Sequence, residues 1–262
     1  MAGLKLAVTG KGGVGKTTIA GTLARIMAAR GLRVIAVDAD PDANLAGAVG
    51  ATPAAAAAIM PISAMKDLIR ERTGAEPGSL APVFKMNPRV DDIPAAMSVE
   101  AQGVRLLKLG TVKTGGGGCI CPESALLKSL LSHLMLAEKD VVIVDMEAGI
   151  EHLGRATARG VDAMLIVAEP GKRSLQTADD ITRLAGEIGI SRLFLIINKV
   201  TDDDAGFCRD LEQNYDVLGC LPFDSSVRMA DLDEESPYDA APAYAAEVGK
   251  ILGKLEERLG RG

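Results

Sequence analysis

The residues best suited to chemistry lie in one short segment near the start of the chain, Gly-Lys-Gly-Gly-Val-Gly-Lys-Thr-Thr at Gly10–Thr18. Its spacing, G-x-x-x-x-G-K-[ST], is typical of a loop whose backbone N–H groups surround phosphates and whose lysine reaches the β- and γ-phosphates. An apolar run predicts a strand before it, and helical spacing predicts a helix after it, whose N-terminus adds partial positive charge. We therefore predict a nucleoside triphosphate site formed by Gly12, Gly13, Val14, Gly15, Lys16, Thr17 and Thr18.

Three acidic residues follow predicted strands and could complete this site. Asp145 ends the apolar run Val141–Asp145, which is the pattern of a carboxylate that holds Mg²⁺ together with a loop hydroxyl such as that of Thr17. A strand-terminal aspartate that only caps a turn is the alternative. Asp38 and Asp40 follow the second apolar run. One of them could support Mg²⁺, and the other could orient the attacking water.

The segment Asn198-Lys199-Val200-Thr201 indicates which base the nucleotide carries. It resembles the N-K-x-D signature of guanine-binding proteins, but Thr201 stands where the aspartate would be. A threonine hydroxyl cannot accept hydrogen bonds from both the N1–H and the N2–H₂ groups of guanine, and Asp202 is one residue too late. The sequence therefore predicts ATP rather than GTP.

A pair of cysteines, Cys119 and Cys121, is the other feature that could do chemistry. Glycines precede it, and Pro122 suits the first position of a helix, so we predict Cys121 at a helix N-terminus, where the dipole stabilises a thiolate. Two thiolates per chain half-coordinate a metal, whereas a twofold dimer supplies four, a set suited to Zn²⁺ and also to nickel or Cu(I). Two packed small residues or a local disulfide explain the motif alone equally well.

The remaining histidines and cysteines carry weaker signals. His133 is predicted to be a surface or packed residue on the helix that follows Cys121. His152 follows the Asp145 strand and could relay the nucleotide state, although a structural role explains it equally well. Cys208 and Cys220 are far apart in the sequence, and we predict that they are packing residues.

Short apolar runs alternate with helical segments along the chain. Further strands are predicted at Leu32–Asp38, Val104–Leu109, Val141–Asp145, Ala163–Ala168, Leu193–Asn198 and Asp216–Leu221, and further helices at Pro122–Ala137, Leu175–Ile188 and Tyr244–Leu259. This alternation predicts an α/β fold with a mostly parallel central sheet and helices on both faces. Ligands of such sheets bind beyond the carboxyl ends of the strands, where Asp38, Asp40, Asp145 and Asn198 should emerge.

Residues 45–103 are the least regular part of the chain. They are rich in alanine, proline and glycine, and they show no clear sheet pattern. We predict one helix there, Ile62–Arg72, and we interpret the segment as an excursion from a single domain that spans residues 1–262. The last predicted helix carries an apolar stripe without an aromatic anchor, which favours docking on the core over binding to a membrane.

The composition excludes several classes of function. The chain has 262 residues, a net charge of −6 and no tryptophan, which argues against a basic nucleic-acid groove and a base-stacking platform. No apolar run reaches the roughly 20 residues of a membrane-spanning helix, and the first strand leaves no room for a signal peptide. Four cysteines do not form a disulfide framework. A cytoplasmic protein that acts without membrane or nucleic acid is expected.

The loop itself resembles a known group of ATPases. The sequence Lys11-Gly-Gly-Val-Gly-Lys16-Thr17 is similar to the deviant Walker A motif, K-G-G-x-G-K-[ST], of the MinD/ParA/nitrogenase-iron-protein group, with switch regions at Asp38–Pro41 and Asp145–Gly149. The resemblance implies an ATP-dependent homodimer in which Lys11 reaches the nucleotide of the partner chain. It makes Lys11, Lys16 and Asp40 the catalytic residues, with Asp40 positioning water and Asp38 left for Mg²⁺. It also implies that the adenosine moiety contacts Asn198, Lys199, Pro222, Phe223 and Asp224.

Two further segments resemble the CooC-type branch of this group, which assists nickel insertion into carbon monoxide dehydrogenase. They are Gly115–Leu127, which contains both cysteines, and Asp145–Gly154. The resemblance implies that Cys119 and Cys121 bind nickel or zinc at the dimer interface and that ATP turnover drives metal delivery. A relative that serves acetyl-CoA synthase would look much the same. A positioning ATPase of the ParA or MinD kind and an iron–sulfur reductase are the competing hypotheses.

Overall fold

An eight-stranded sheet runs through the part of the chain that the computed structural model describes, residues 3–42, 44–78, 83–110, 121–148 and 155–261. The strands are β1 (Lys5–Gly10), β2 (Val34–Asp38), β3 (Val99–Ala101), β4 (Val104–Lys108), β5 (Val141–Asp145), β6 (Ala163–Ala168), β7 (Leu193–Val200) and β8 (Val217–Pro222). Their order is β3-β4-β2-β5-β1-β6-β7-β8. All neighbouring strands are parallel except β3 and β4, which are antiparallel.

Helices cover both faces of this sheet. They are α1 (Lys16–Ala29), α2 (Leu45–Val49), α3 (Pro53–Ala58), α4 (Lys66–Thr73), α5 (Ile93–Met97), α6 (Pro122–Leu136), α7 (Arg155–Ala158), α8 (Lys172–Ile188), α9 (Ala205–Leu211), α10 (Ser225–Leu232), α11 (Pro237–Ala240) and α12 (Pro242–Arg258). Single 3₁₀ turns occur at Ile62–Ala64 and Asp202–Asp204. None of the helices in the described residues is long and apolar enough to cross a membrane.

Two apolar layers lie on opposite faces of the sheet because successive side chains of a strand point to opposite faces. In β1, Leu6 and Val8 pack in the layer with α1 and α12, whereas Ala7 packs in the layer with α6 and α8. The stripe predicted on α6 is buried at Leu126, Leu127, Leu130, Leu131 and Leu134. The stripe on α12 is buried at Val248, Ile251, Leu252 and Leu255. The predicted α/β fold is therefore confirmed, and α12 docks on the core.

Residues 45–103 differ from the prediction in two ways. The sequence shows no clear sheet pattern there, yet Val99–Ala101 forms the antiparallel edge strand β3. The two-residue turn Gln102–Gly103 joins β3 to β4. Both residues have positive φ, 51° and 74°, as a two-residue hairpin turn of this kind requires. The predicted helix Ile62–Arg72 is divided into a 3₁₀ turn and α4. The extent of the domain, residues 1–262, stays a prediction.

Candidate functional site

The phosphate-binding loop predicted from the sequence connects β1 to α1. Gly15 precedes the first residue of α1 with a φ of 96°, a left-handed conformation that favours glycine. A Cβ atom on Gly10 would lie 2.2 Å from the carbonyl oxygen of Val167, so only glycine fits there. In the described part of the chain, the N–H groups of Gly13, Gly15, Lys16, Thr17 and Thr18 are among those of the loop that donate no hydrogen bond to a protein acceptor. They are available to phosphate oxygens.

Lys16 lies between the loop and an acidic side chain. Its Nζ atom is 3.5 Å from Oδ2 of Asp40 and 3.5 Å from the carbonyl oxygen of Lys11, to which it donates. The side chains of Lys16 and Asp40 are only 7% and 12% exposed. This arrangement places a carboxylate beside the lysine that is predicted to contact the γ-phosphate.

Asp145 and Thr17 form the position predicted for Mg²⁺. The Thr17 hydroxyl donates to Oδ2 of Asp145 at 2.6 Å, whereas the other oxygen, Oδ1, is buried and has no partner among the described residues. Burial, as the largest effect, raises the pKa of Asp145 from 3.8 to about 7. A buried carboxylate oxygen without a donor, beside a hydroxyl, suits a hard cation that keeps several waters. These residues therefore fit Mg²⁺.

Asp38 lies directly beside Asp145 in the pairing of β2 with β5. Its two carboxylate oxygens accept the backbone N–H groups of Asp40, at 3.3 Å, and Leu45, at 3.0 Å. Burial is the main reason that its pKa is raised to about 6. Asp38 therefore anchors the loop that carries Asp40, and its predicted role as a Mg²⁺ ligand stays a prediction.

An open cleft of about 1090 Å³ lies beyond the carboxyl ends of the strands. The predicted site residues that line it are Gly12, Gly13, Gly15, Lys16, Thr17, Thr18, Asp40, Asn198, Lys199, Pro222, Phe223 and Asp224. Val14 is fully buried in the core, so only its backbone can serve the site. Lys11 is half-buried and is not among the described residues that line this cleft.

Two side chains at the end of β7 donate hydrogen bonds to the phosphate-binding loop. Asn198 donates from Nδ2 to the carbonyl oxygen of Val14 at 2.9 Å, and Lys199 donates from Nζ to that of Gly13 at 2.5 Å. The Lys199 ammonium group also lies 3.5 Å from Glu169. Asn198 and Lys199, two of the five residues that the resemblance assigns to the adenosine moiety, thus also bind the phosphate loop.

Phe223 and Asp224 lie at the rim of the cleft, where the adenosine moiety is predicted to bind. Phe223 is 54% exposed there, which leaves a ring face for stacking on a base. Thr201 donates both its N–H and its hydroxyl to the same oxygen of Asp204, at 2.9 Å and 2.7 Å. Asp224 caps α10 by accepting the N–H of Ser226. Neither Thr201 nor Asp204 lines the cleft among the described residues.

The cysteine motif is only partly described. Cys119 lies outside the described residues, as do Gly149 of the predicted switch region and His152, which follows that region. Cys121 is the residue before α6 and Pro122 is its first residue, as predicted. The half-buried thiol of Cys121 donates to the Ser124 hydroxyl at 3.2 Å. Within the described residues, no group of three or more His, Cys, Asp or Glu side chains could hold a metal ion.

The other cysteines and His133 lie away from the cleft. Cys208 and Cys220 are free thiols that pack against the core, which supports the packing role predicted for them. The two thiols contact each other, although they are far apart in the sequence, and burial is the main reason that the pKa of Cys220 is raised to about 12. His133 is half-buried on α6 and lies near Asp91.

Comparison with known proteins identifies the family. Residues 5–238 match the family model described as the CobQ/CobB/MinD/ParA nucleotide binding domain. The chain belongs to this family. It is 49% identical over 258 residues to the carbon monoxide dehydrogenase accessory protein CooC of Rhodospirillum rubrum, with 98% of each chain covered. It is 48% identical over 255 residues to an uncharacterized ATP-binding protein of Methanocaldococcus jannaschii, covering 96% of this chain and 97% of the relative.

Solved structures of this CobQ/CobB/MinD/ParA family share the fold. A chain of the MinC:MinD cell division protein complex of Aquifex aeolicus has a TM-score of 0.67 at 19% identity and 96% coverage of both chains. A ParA family ATPase of Chlorobium tepidum has a TM-score of 0.67 at 18% identity, covering 97% and 98% of the two chains. The predicted resemblance to the deviant Walker A group and its CooC-type branch is confirmed, and the chain is a P-loop ATPase.

Tyr244 is one of the residues of the site that sequence reasoning missed. Tyr244 begins the predicted last helix, and the sequence assigns it no role beyond that position. In the structure it lines the cleft, and its hydroxyl donates to Oδ1 of Asn198 at 3.2 Å. The two residues are 46 positions apart, so no local pattern joins them. Only the packing of α12 against α1 and β8, the strand next to β7, brings them together.

Proposed function

We propose that the protein is an ATP-dependent metallochaperone that assists nickel insertion into carbon monoxide dehydrogenase. The observation that carries this proposal is the 49% identity, over 98% of both chains, to a protein named as a carbon monoxide dehydrogenase accessory protein. In this proposal ATP binding closes a homodimer in the cytoplasm, and hydrolysis opens it. The nickel ion is the cargo that is passed to the client enzyme.

The hydrolytic step uses the residues of the cleft. The water oxygen attacks the γ-phosphorus, the bond from that phosphorus to the β–γ bridging oxygen breaks, and ADP and phosphate leave. Asp40 orients the water, and Lys16 and the free N–H groups of the loop stabilise the negative charge of the phosphates. Thr17, Asp145 and Asp38 would hold Mg²⁺, which would neutralise part of the negative charge of the phosphates.

Lys11 acts on the partner chain in this proposal. It does not line the cleft of its own chain among the described residues, and its carbonyl oxygen already accepts from Lys16. Two chains that face each other across their clefts would bring each Lys11 to the nucleotide of the other chain. Closure and catalysis are then coupled, because an isolated chain lacks one cation of its site.

The metal is held by four thiolates in this proposal, from Cys119 and Cys121 of each chain. The position of Cys121 supports it, since this half-buried residue lies directly before α6, where the helix N-terminus carries partial positive charge. Four thiolates around a twofold axis suit Zn²⁺ or nickel. The site would therefore form only when the dimer closes.

Activation of nickel-free carbon monoxide dehydrogenase tests the proposal. The client would be incubated with Ni²⁺, ATP and either this protein, its Cys121→Ala variant or its Cys208→Ala variant as a matched control for the loss of one thiol. We expect wild type and Cys208→Ala to accelerate recovery of carbon monoxide oxidation, and Cys121→Ala to fail. Equal acceleration by all three would contradict the role of the Cys121 thiolate in metal delivery. No acceleration by wild type would contradict the nickel-insertion function and favour a positioning ATPase.

A further inference from the structure

Tyr244 is a buried hydroxyl-bearing residue that touches the nucleotide site without a role in the chemistry described above. It lies in the first turn of α12 and is only 2% exposed. Burial is the main reason that its pKa is raised well above the ordinary value of 10.0, so the hydroxyl keeps its proton and remains a donor. It donates to Oδ1 of Asn198 at 3.2 Å.

Asn198 connects Tyr244 to the phosphate loop through two hydrogen bonds. Its side chain is buried, with Oδ1 accepting from Tyr244 and Nδ2 donating to the carbonyl oxygen of Val14 at 2.9 Å. The two contacts fix which way the amide faces, because the opposite orientation would set Oδ1 against the Val14 carbonyl oxygen. The fit is tight, since a Cβ on Gly15 would lie 2.3 Å from Nδ2.

The orientation of Asn198 determines the direction of one loop N–H. A trans peptide is planar, so its C=O and N–H groups point in opposite directions, and the described residues contain no cis peptide bond. Because the Val14 carbonyl is held toward Asn198, the N–H of Gly15 must point away from it. That N–H donates to no protein acceptor among the described residues, and Gly15 lines the cleft.

We propose that Tyr244 is a positioning residue for phosphate binding. Its hydroxyl holds Asn198, and Asn198 holds the Val14–Gly15 peptide so that the Gly15 N–H faces the phosphates of the nucleotide. The C-terminal helix α12 is thereby part of the nucleotide site, although its own side chains contribute no group to the phosphates. This inference rests on the ATPase fold and does not depend on the metal or the client enzyme.

The test compares Tyr244→Phe with Tyr215→Phe. Each variant loses one tyrosine hydroxyl that donates a hydrogen bond, and the Tyr215 hydroxyl donates to Asp179 at 2.5 Å, away from the cleft. The probes are Mg²⁺-tripolyphosphate, which has no base, and Mg²⁺-ATP, both measured by titration calorimetry. We expect Tyr244→Phe to lower the affinity for tripolyphosphate and for ATP by the same factor, about fivefold. The KM for ATP should rise, and kcat should stay within about twofold of the wild-type value. Tyr215→Phe should bind both as wild type does.

A second variant and a spectroscopic readout keep the inference falsifiable. Asn198→Asp retains the acceptor for Tyr244 but replaces the donor to Val14 with a carboxylate oxygen, and it should weaken tripolyphosphate binding at least tenfold. The Gly15 amide resonance should shift in Tyr244→Phe and stay in place in Tyr215→Phe. A lower affinity for ATP with unchanged affinity for tripolyphosphate would mean that Tyr244 and Asn198 act on the base instead of the phosphates. Unchanged tripolyphosphate binding in Tyr244→Phe or in Asn198→Asp would therefore overturn the inference.

Discussion

At the scale of single residues, the site combines buried carboxylates with one buried lysine. Asp145 is fully buried and Asp38 is 6% exposed, and both have raised pKa values because burial disfavours their charged forms. Lys16 offsets part of this cost for Asp145. Ionisation of these carboxylates, which a bound cation requires, therefore costs stability in the absence of the cation.

The first prediction concerns the pH dependence of stability without added nucleotide or Mg²⁺. Because the folded protein binds the Asp145 proton more tightly than the unfolded chain, the contribution of Asp145 to the free energy of unfolding is full below pH 3.8 and falls until about pH 7. The whole fall amounts to at most about 4 kcal/mol. Asp145→Asn cannot ionise, so we expect its stability relative to wild type to increase between pH 5 and pH 8 by about 2 to 3 kcal/mol.

Urea unfolding at several pH values measures this difference. Asp180→Asn, which removes an exposed carboxylate of α8, is the matched control. Parallel pH profiles for wild type and Asp145→Asn would show that the Asp145 carboxylate titrates in the folded protein as it does in the unfolded chain, and would contradict the prediction.

The second prediction separates catalysis from binding at Asp40. Asp40→Asn removes the group proposed to orient the water, so we expect kcat for ATP hydrolysis to fall by about 100-fold or more. The affinity for ATP should not weaken, because Lys16 loses a competing carboxylate 3.5 Å away. Steady-state kinetics and nucleotide titration measure the two effects, again with Asp180→Asn as control. An unchanged kcat would remove Asp40 from the catalytic residues.

At the scale of elements, the loop depends on the close packing of α1 against α2. Gly21 of α1 lies against Ala48 of α2, and an added Cβ would come within 2.7 Å of the Ala48 Cβ and 2.9 Å of its carbonyl oxygen. The same helix carries Lys16 and Thr17, and α2 follows the loop anchored by Asp38. A shift between these helices would therefore displace both sides of the phosphate site.

The third prediction uses this contact. Gly21→Ala should destabilise the protein by about 1 to 3 kcal/mol, because overpacking outweighs the gain in helix propensity. Gly186→Ala is the matched control, since Gly186 also lies within a helix but has no atom within 4 Å of an added Cβ. It should stabilise the protein by up to about 1 kcal/mol. Thermal unfolding measures both, and changes of the same sign would contradict the prediction.

The sequence predicted the elements that have their own local pattern. The runs Val141–Asp145 and Ala163–Ala168 match β5 and β6 residue for residue, and the apolar stripe of α6 is buried as expected. The short helices α9 and α10 and the strand β3 were missed, because three to eight residues carry little periodicity. Tyr244 was missed for another reason. Its function depends on a contact with Asn198 that only tertiary packing creates.

At the scale of the whole molecule, the proposed function needs two chains. One chain provides the loop, Asp40 and the carboxylates around Lys16, but its own Lys11 does not line the cleft in the described residues. One chain also offers only two of the four thiolates that the proposed metal site requires. A second chain related by a twofold axis would supply both the missing lysine and the two missing thiolates. ATP binding and metal binding should therefore each favour the closed dimer.

Native mass spectrometry of the reduced protein tests this account most directly. Wild type and the Cys119→Ala/Cys121→Ala variant would be measured with Ni²⁺ or Zn²⁺, each with and without Mg²⁺-ATP. The account predicts a wild-type dimer that carries one metal ion, and a variant that still dimerises with ATP but carries none. Dimerisation by ATP with no stoichiometric metal in either protein would contradict the metallochaperone function.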